Sequence, residues 1–210
     1  MGLLWLKDPL AILAQDAGGG IVIEEDEIRE LVPSGKKPSV PCTVFDASSH
    51  VILPGLVNTH HHFYQTLTRA LAPALGKELF DWLKALYPVW SGLDPEGLAV
   101  ATELALTELM LSGCTTSSDH HYLYPAGLED AVDIQVAVAA QIGMRVTLTR
   151  GSMDLSQKDG GLPPDSVVQQ TDAILIDSER VVNRYHEQGP GAMIQIALAP
   201  CSPFSATQDL

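Results

Sequence analysis

From Leu56 onward the chain alternates short apolar, strand-like runs with longer helix-like runs, and each strand-like run ends in a polar cluster. Few folds accept that rhythm. "LVNTH" (56–60) reads as a strand, "ELFDWLKALYPVW" (78–90) as a helix or helical loop, and "DPEGLAVATELALTELMLSG" (94–113) as the clearest helix. Asp94 is placed to cap that helix, Pro95 suits its first turn, Glu96 favours its positive end and Gly113 suits its exit. The strand "CTTSSDH" (114–120) follows, then a helix ending at Gly143, the strand "MRVTLT" (144–149), a helix over 171–189 and the strand "MIQIALA" (193–199). In the last helix Ile174, Leu175, Val181, Val182 and Tyr185 are expected on one apolar face. Four strands separated by helices predict parallel βα units, because a parallel neighbour needs a crossover. The polar ends are "THHH", "SSDHH", "TRGSMD" and "APCSP". Polar residues at strand C-termini are where barrel and open-sheet enzymes assemble their sites.

The region before Gly55 reads differently. Short apolar runs, "LLWL" and "LAIL", are split by "KDP". "GGGIVIEEDEIRELVP" (18–33) alternates and turns at its acidic tip, as a hairpin does. "CTVFDASSHVILPG" (42–55) supplies two more short strands. The boundary is therefore expected at residues 55/56, with an all-β segment over 1–55 and the βα series over 56–210.

Charge excludes some functions. Twelve basic against twenty-six acidic residues leave a formal net charge of −14. Phosphate backbones and anionic membranes need clustered Lys and Arg, and none are clustered here, so neither nucleic acid nor membrane is an expected partner. Three widely spaced cysteines, Cys42, Cys114 and Cys201, read as free thiols in a reducing compartment. The N-terminal apolar patches are broken by Lys7, Asp8 and Pro9. No signal peptide or membrane span is read there, and the expected location is the cytoplasm.

Three of the seven histidines stand side by side, His60, His61 and His62, at the end of the first strand of the βα series. Side chains alternate along a strand, so His60 and His62 are expected on one face and His61 on the other. Two imidazoles from one strand occupy two corners of a site for zinc or ferrous iron. A bare HxH is a weak pattern; its position after "PGLVN" strengthens it. The other zinc deaminase pattern, HxE with PCxxC, is absent, since "PCTVF" and "PCSPF" lack the second Cys. "HEQGP" at His186 lacks the second His of HExxH.

"VILPGLVNTHHHFYQ" resembles the opening motif of the amidohydrolase superfamily, a Pro-Gly turn and an apolar strand before HxH. The lead-in before it is similar to the family's β lead-in. The resemblance implies a small β-sandwich, built from both chain ends, followed by a (β/α)8 barrel of which this chain holds the first four units. "LTRAL" with "ELFDWLKALYPVW" resembles the aminohydrolase branch, which deaminates purines, pteridines, triazines and nucleosides. "SGCTTSSDHHYLYP", "RGSMD…DGGLPPDSVV" and "APCSPFS" resemble the members that convert 8-oxoguanine to urate and ammonia. Isoxanthopterin or a dealkylated triazine is the alternative substrate, and a non-catalytic fragment of the scaffold is the alternative role. Nucleoside deaminases of the branch carry His where this chain has Cys201, which argues against S-adenosylhomocysteine-type substrates.

The resemblance also implies the chemistry. One divalent metal ion, zinc or else iron, activates water, and a Glu shuttles the proton to the leaving ammonia. His60 and His62 match two ligands. The other ligands and the Glu belong to later strands, so the general acid and base are expected beyond Leu210. No catalytic residue is assigned within these 210 residues, and the chain alone is expected to be inactive. The expected partner is a small heterocycle, and the full-length enzyme is expected to be a homo-oligomer. Gln65, Trp82, Arg150 and Cys201 are the expected substrate contacts. Their competing readings are a segment-starting polar residue, a loop anchor, an ion pair with one of the many acids and a buried small hydrophobe, respectively. His61 is read as packing behind the ligand pair. Asp119, His120 and His121 are read as hydrogen-bonding groups near the pocket mouth, with a metal role as the competing reading.

Overall fold

A computed structural model describes residues 2–210, which form two compact units divided between Gly55 and Leu56. The first unit is built on a four-stranded sheet, order β4-β3-β1-β5. Its strands are β1 (Leu4–Lys7), β3 (Gly20–Glu24), β4 (Glu27–Val32) and β5 (Thr43–Asp46). β3 and β4 form the expected hairpin, turning at Glu25 and Asp26. The short strands β2 (Ala11–Ile12) and β6 (Val51–Ile52) pair in parallel as a separate two-stranded sheet. Trp5, Val22 and Val32 form this unit's core, and the Trp5 indole N–H donates to the Gly19 carbonyl at 2.9 Å.

The second unit carries four parallel strands in sequence order, β7 (Leu56–Asn58), β8 (Cys114–His121), β9 (Arg145–Ser152) and β10 (Ile194–Pro200). Helix α1 (Leu79–Trp90) and helix α2 (Pro95–Leu111) lie between β7 and β8. Helix α3 (Ala131–Ile142) links β8 to β9, and helix α4 (Thr171–Tyr185) links β9 to β10. The Asp94 carboxylate caps α2 by accepting from the Gly97 N–H at 2.7 Å. Gly143 closes α3 at φ 79°, a left-handed turn that a side chain disfavours. Among the described residues no helix is long and apolar enough to cross a membrane.

Period-two burial sorts the strands into two faces. Ser117, Asp119 and His121 of β8, Val146, Leu148 and Arg150 of β9, and Ile194 and Ile196 of β10 are buried. The apolar ones pack with Leu106, Val132, Ala139 and Val181 from the helices. The intervening residues, Ser118, His120, Thr147, Thr149 and Gln195, are only half-buried. In α4 the buried stripe is narrower than expected. Ile174, Ser178 and Val181 are buried, whereas Leu175 is 53% exposed. Leu175 sits about 100° around the helix from Ile174, which carries it off a stripe defined by i, i+4 and i+7.

Candidate functional site

β7 stops at Asn58, two residues earlier than its apolar run and polar tail suggest, so the three histidines lie beyond the strand rather than in it. One cause is local. The Asn58 side-chain oxygen accepts the His60 N–H at 3.0 Å, a turn that competes with the strand ladder. His62 keeps an extended backbone (φ −131°, ψ 91°). The His60 and His62 rings stand edge to face with centroids 5.2 Å apart. The His61 ring packs instead beside Phe63, at 5.1 Å.

With no ladder beyond Asn58, the histidine segment is held by β8. The His120 N–H donates to the His61 carbonyl at 2.9 Å. His62 Nδ1 donates to the His120 carbonyl at 2.7 Å. The Phe63 N–H donates to Asp119 Oδ1 at 2.6 Å. A carbonyl only accepts, so Nδ1 of His62 carries the proton and Nε2 keeps its lone pair. That is the tautomer in which a histidine ligates a metal through Nε2. Burial lowers the His62 pKa and keeps the ring neutral, the form a cation needs.

Four of the expected site residues, His62, Gln65, Trp82 and Cys201, line one cavity of about 250 Å³. Leu79, Leu83, Tyr87, Tyr122 and Phe204 complete its apolar and aromatic walls. His60, His61 and His62 all border an adjoining cavity of about 440 Å³, together with Gln65, so His61 is not shut off from the space its neighbours line. Gln65 Nε2 donates to the Tyr64 hydroxyl at 3.1 Å, leaving its carbonyl oxygen as the free acceptor. Trp82 stands edge to face with Trp90, centroids 5.3 Å apart. Cys201 is held where β10 ends, its N–H donating to the Ser152 carbonyl at 2.9 Å, and burial pushes its thiol pKa up.

Arg150 corrects the expectation of a substrate contact. It falls in the helix-facing row with Val146 and Leu148, and its side chain is fully buried. Nε donates to Asp177 Oδ2 at 2.9 Å, Nη1 to the Gly151 carbonyl at 2.7 Å and Nη2 to Gln169 Oε1 at 2.7 Å. The guanidinium also lies over the Tyr124 ring, 4.1 Å from its centroid. It ties β9 to α4, and buried there it lines neither cavity beside the histidines.

From sequence, a hydrogen-bonding role for His120 ranks above a metal role. His120 lines the cavity, its ring is 5.6 Å from that of His62, and its Nε2 is buried without a hydrogen-bond partner. Period two within "SSDHHY" was the available signal, since it places His120 opposite Asp119 and His121. Gly151 allows the close approach of β9. A Cβ there would stand 2.5 Å from the His121 carbonyl oxygen and 3.0 Å from His120 Cδ2. The unpartnered His120 nitrogen, beside two neutral-capable histidines, suits a metal ion or a polar ligand atom. Among the described residues, however, no group of three or more His, Cys, Asp or Glu side chains is spaced to hold a metal.

The amidohydrolase family profile matches residues 51–210. The chain is 59% identical over 214 aligned residues to 8-oxoguanine deaminase of Pseudomonas aeruginosa, covering all of this chain and 48% of that protein. It is 37% identical over 198 residues to hydroxydechloroatrazine ethylaminohydrolase of Pseudomonas sp. (strain ADP), covering 93% of this chain and 41% of that one. Among solved structures it resembles an atrazine chlorohydrolase from Arthrobacter aurescens TC1 complexed with zinc. That match has a TM-score of 0.84 at 25% identity and covers 99% of this chain and 48% of the other. The chain spans about half the length of the curated relatives it matches.

Proposed function

The chain belongs to the amidohydrolase family, and from that premise we propose that it supplies half of the active site of a metal-dependent aminohydrolase acting on 8-oxoguanine. The reaction replaces the ring's exocyclic amino group by oxygen, consuming water and releasing urate and ammonia. The 59% identity to 8-oxoguanine deaminase along the whole chain is the observation that carries this reading. His60 and His62 are the proposed ligands, and zinc is the proposed ion, as in the zinc-bound neighbour. A divalent ion at this position supplies the Lewis acidity that makes water nucleophilic near neutral pH.

The remaining work falls to residues of the chain. His62 is held in its ligating tautomer by the His120 carbonyl. Trp82, Tyr87, Tyr122 and Phe204 offer flat apolar walls against which a fused ring can stack. The free oxygen of Gln65 accepts from a ring N–H. The proton shuttle and further ligands are assigned beyond Leu210, to the half of the relatives' length that this chain does not span, so residues 1–210 alone are expected to be inactive. The first unit is assigned to a β-sandwich completed by that same half.

The test is ammonia release by a protein joining this chain to its second half. 8-oxoguanine should turn over faster than guanine, isoxanthopterin or S-adenosylhomocysteine. A pocket built to hydrogen-bond an extra ring oxygen leaves polar groups unpaired when that oxygen is missing, which discriminates by orders of magnitude. Equal turnover of guanine would refute the 8-oxo assignment.

A further inference from the structure

Resting on the metal reading above, we propose that Asp119 is the positioning residue that orients His62 toward the metal, acting through the Phe63 amide. Asp119 lies on the helix-facing row of β8, is 1% exposed, and lines neither cavity beside the histidines. It touches no ligand, yet it controls the residue that follows the ligand pair. Because β7 ends at Asn58, residues 59–62 make no ladder of their own, and β8 holds this segment through three bonds. Two of those use the backbone of His120. The third, Phe63 N–H to Asp119 Oδ1, is the one that depends on a side chain other than His62 itself.

The second carboxylate oxygen is also committed. Asp119 Oδ2 accepts from Gln135 Nε2 of α3 at 2.6 Å. The carboxylate is thus a double acceptor wedged between the histidine segment and a helix. Burial, set against these bonds, raises its pKa to about 7, so an acid is an expensive choice for mere packing. A ligand-orienting role accounts for the placement of an acceptor there.

Gln135 makes the idea separable from loss of charge. Its Oε1 is buried without a partner. In Asp119→Asn the amide oxygen can still accept from Phe63, and a turned Gln135 amide can accept from the new NH2. Asp119→Asn should therefore keep the clamp, and Asp119→Ala should lose it. Zinc affinity would be measured by competition with a chromogenic chelator, on metal-stripped protein joined to its second half, well below its melting temperature. Asp119→Ala should weaken zinc binding roughly 10- to 100-fold, while Asp119→Asn stays within about threefold of wild type. A purely structural residue would lower the melting temperature and leave the zinc affinity of the folded protein unchanged. Should the alanine variant not fold, Asp119→Glu, one methylene too long, should weaken zinc binding about tenfold. Unchanged affinity in whichever variant folds overturns the proposal, as does an Asn variant as weak as the Ala variant. Failure of both Ala and Glu variants to fold would make Asp119 a folding residue and overturn it too. Wild-type protein that binds no zinc would instead overturn the metal reading on which the proposal rests.

Discussion

Replacing Asp177 by Ala should damage the fold more than replacing Arg150 by Met, although the two side chains are partners. The asymmetry follows from what each change leaves behind. Arg150 is 0% exposed at its side chain and Asp177 17%. Removing Asp177 strands a buried guanidinium whose Nε has lost its acceptor; the Gly151 carbonyl, Gln169 and the Tyr124 ring face remain to it, none of them an anion. An uncompensated buried charge costs about 3–5 kcal/mol. Removing Arg150 leaves Asp177 with Arg180, whose Nε donates to Oδ1 at 2.9 Å. That change forfeits one hydrogen bond to the Asp177 carboxylate and two to neutral groups, and costs about 1–3 kcal/mol because no charge is left stranded. With a urea slope of about 2 kcal/mol per molar, Asp177→Ala should lower the unfolding midpoint by roughly 1.5–2.5 M and Arg150→Met by roughly 0.5–1.5 M. The double variant should be more stable than Asp177→Ala alone, because the orphaned charge is gone, with a coupling of about 2 kcal/mol. Urea unfolding followed by circular dichroism reads all three. If Arg150→Met were as harmful as Asp177→Ala, or if the double variant were the least stable, the stranded-charge reasoning would fail. A raised KM with an unmoved midpoint in Arg150→Met would return Arg150 to the substrate.

Two further outcomes are expected. In the completed enzyme, His60→Ala or His62→Ala should remove most bound zinc and most activity, while His61→Ala leaves zinc nearly intact; equal losses, measured by metal analysis, would sink the pairing of His60 with His62. Acid should destabilise the fold through His121, whose pKa burial pushes down to about 3, among Tyr64, Tyr124, Arg150, His62 and His120. The folded state then binds fewer protons than the unfolded one below pH ~6.5, so this stability is complete above that value and lost as pH falls toward 3, by up to about 1.4 kcal/mol per unit. Asp119, raised to about 7, acts in the opposite sense as pH rises from ~4 to 7. The difference between wild type and His121→Asn, rather than the wild-type slope, isolates the histidine, and parallel slopes would contradict its role.

Much of this protein was legible in residue order because it depends on neighbours in the chain. The α2 cap at Asp94, the left-handed exit at Gly143 and the hairpin turn at Glu25 and Asp26 are local, and so is the ring contact of His60 with His62. The strand-helix rhythm after Gly55 implied parallel pairing, since such strands need long crossovers. Other features required the sheet to assemble. The early end of β7 has a local contributor in the Asn58 side chain, but how far the ladder with β8 runs is set only in the assembled sheet. Arg150 reads from sequence as a strand-end polar residue, and only register with β8 and packing against α4 turn it into a buried ion pair. Asp119 and His120 are adjacent in "SDHH", yet pleating sends one toward α3 and the other into the cavity. Sequence could name both residues but not divide their work, because which face of a strand is buried is settled by what packs on it.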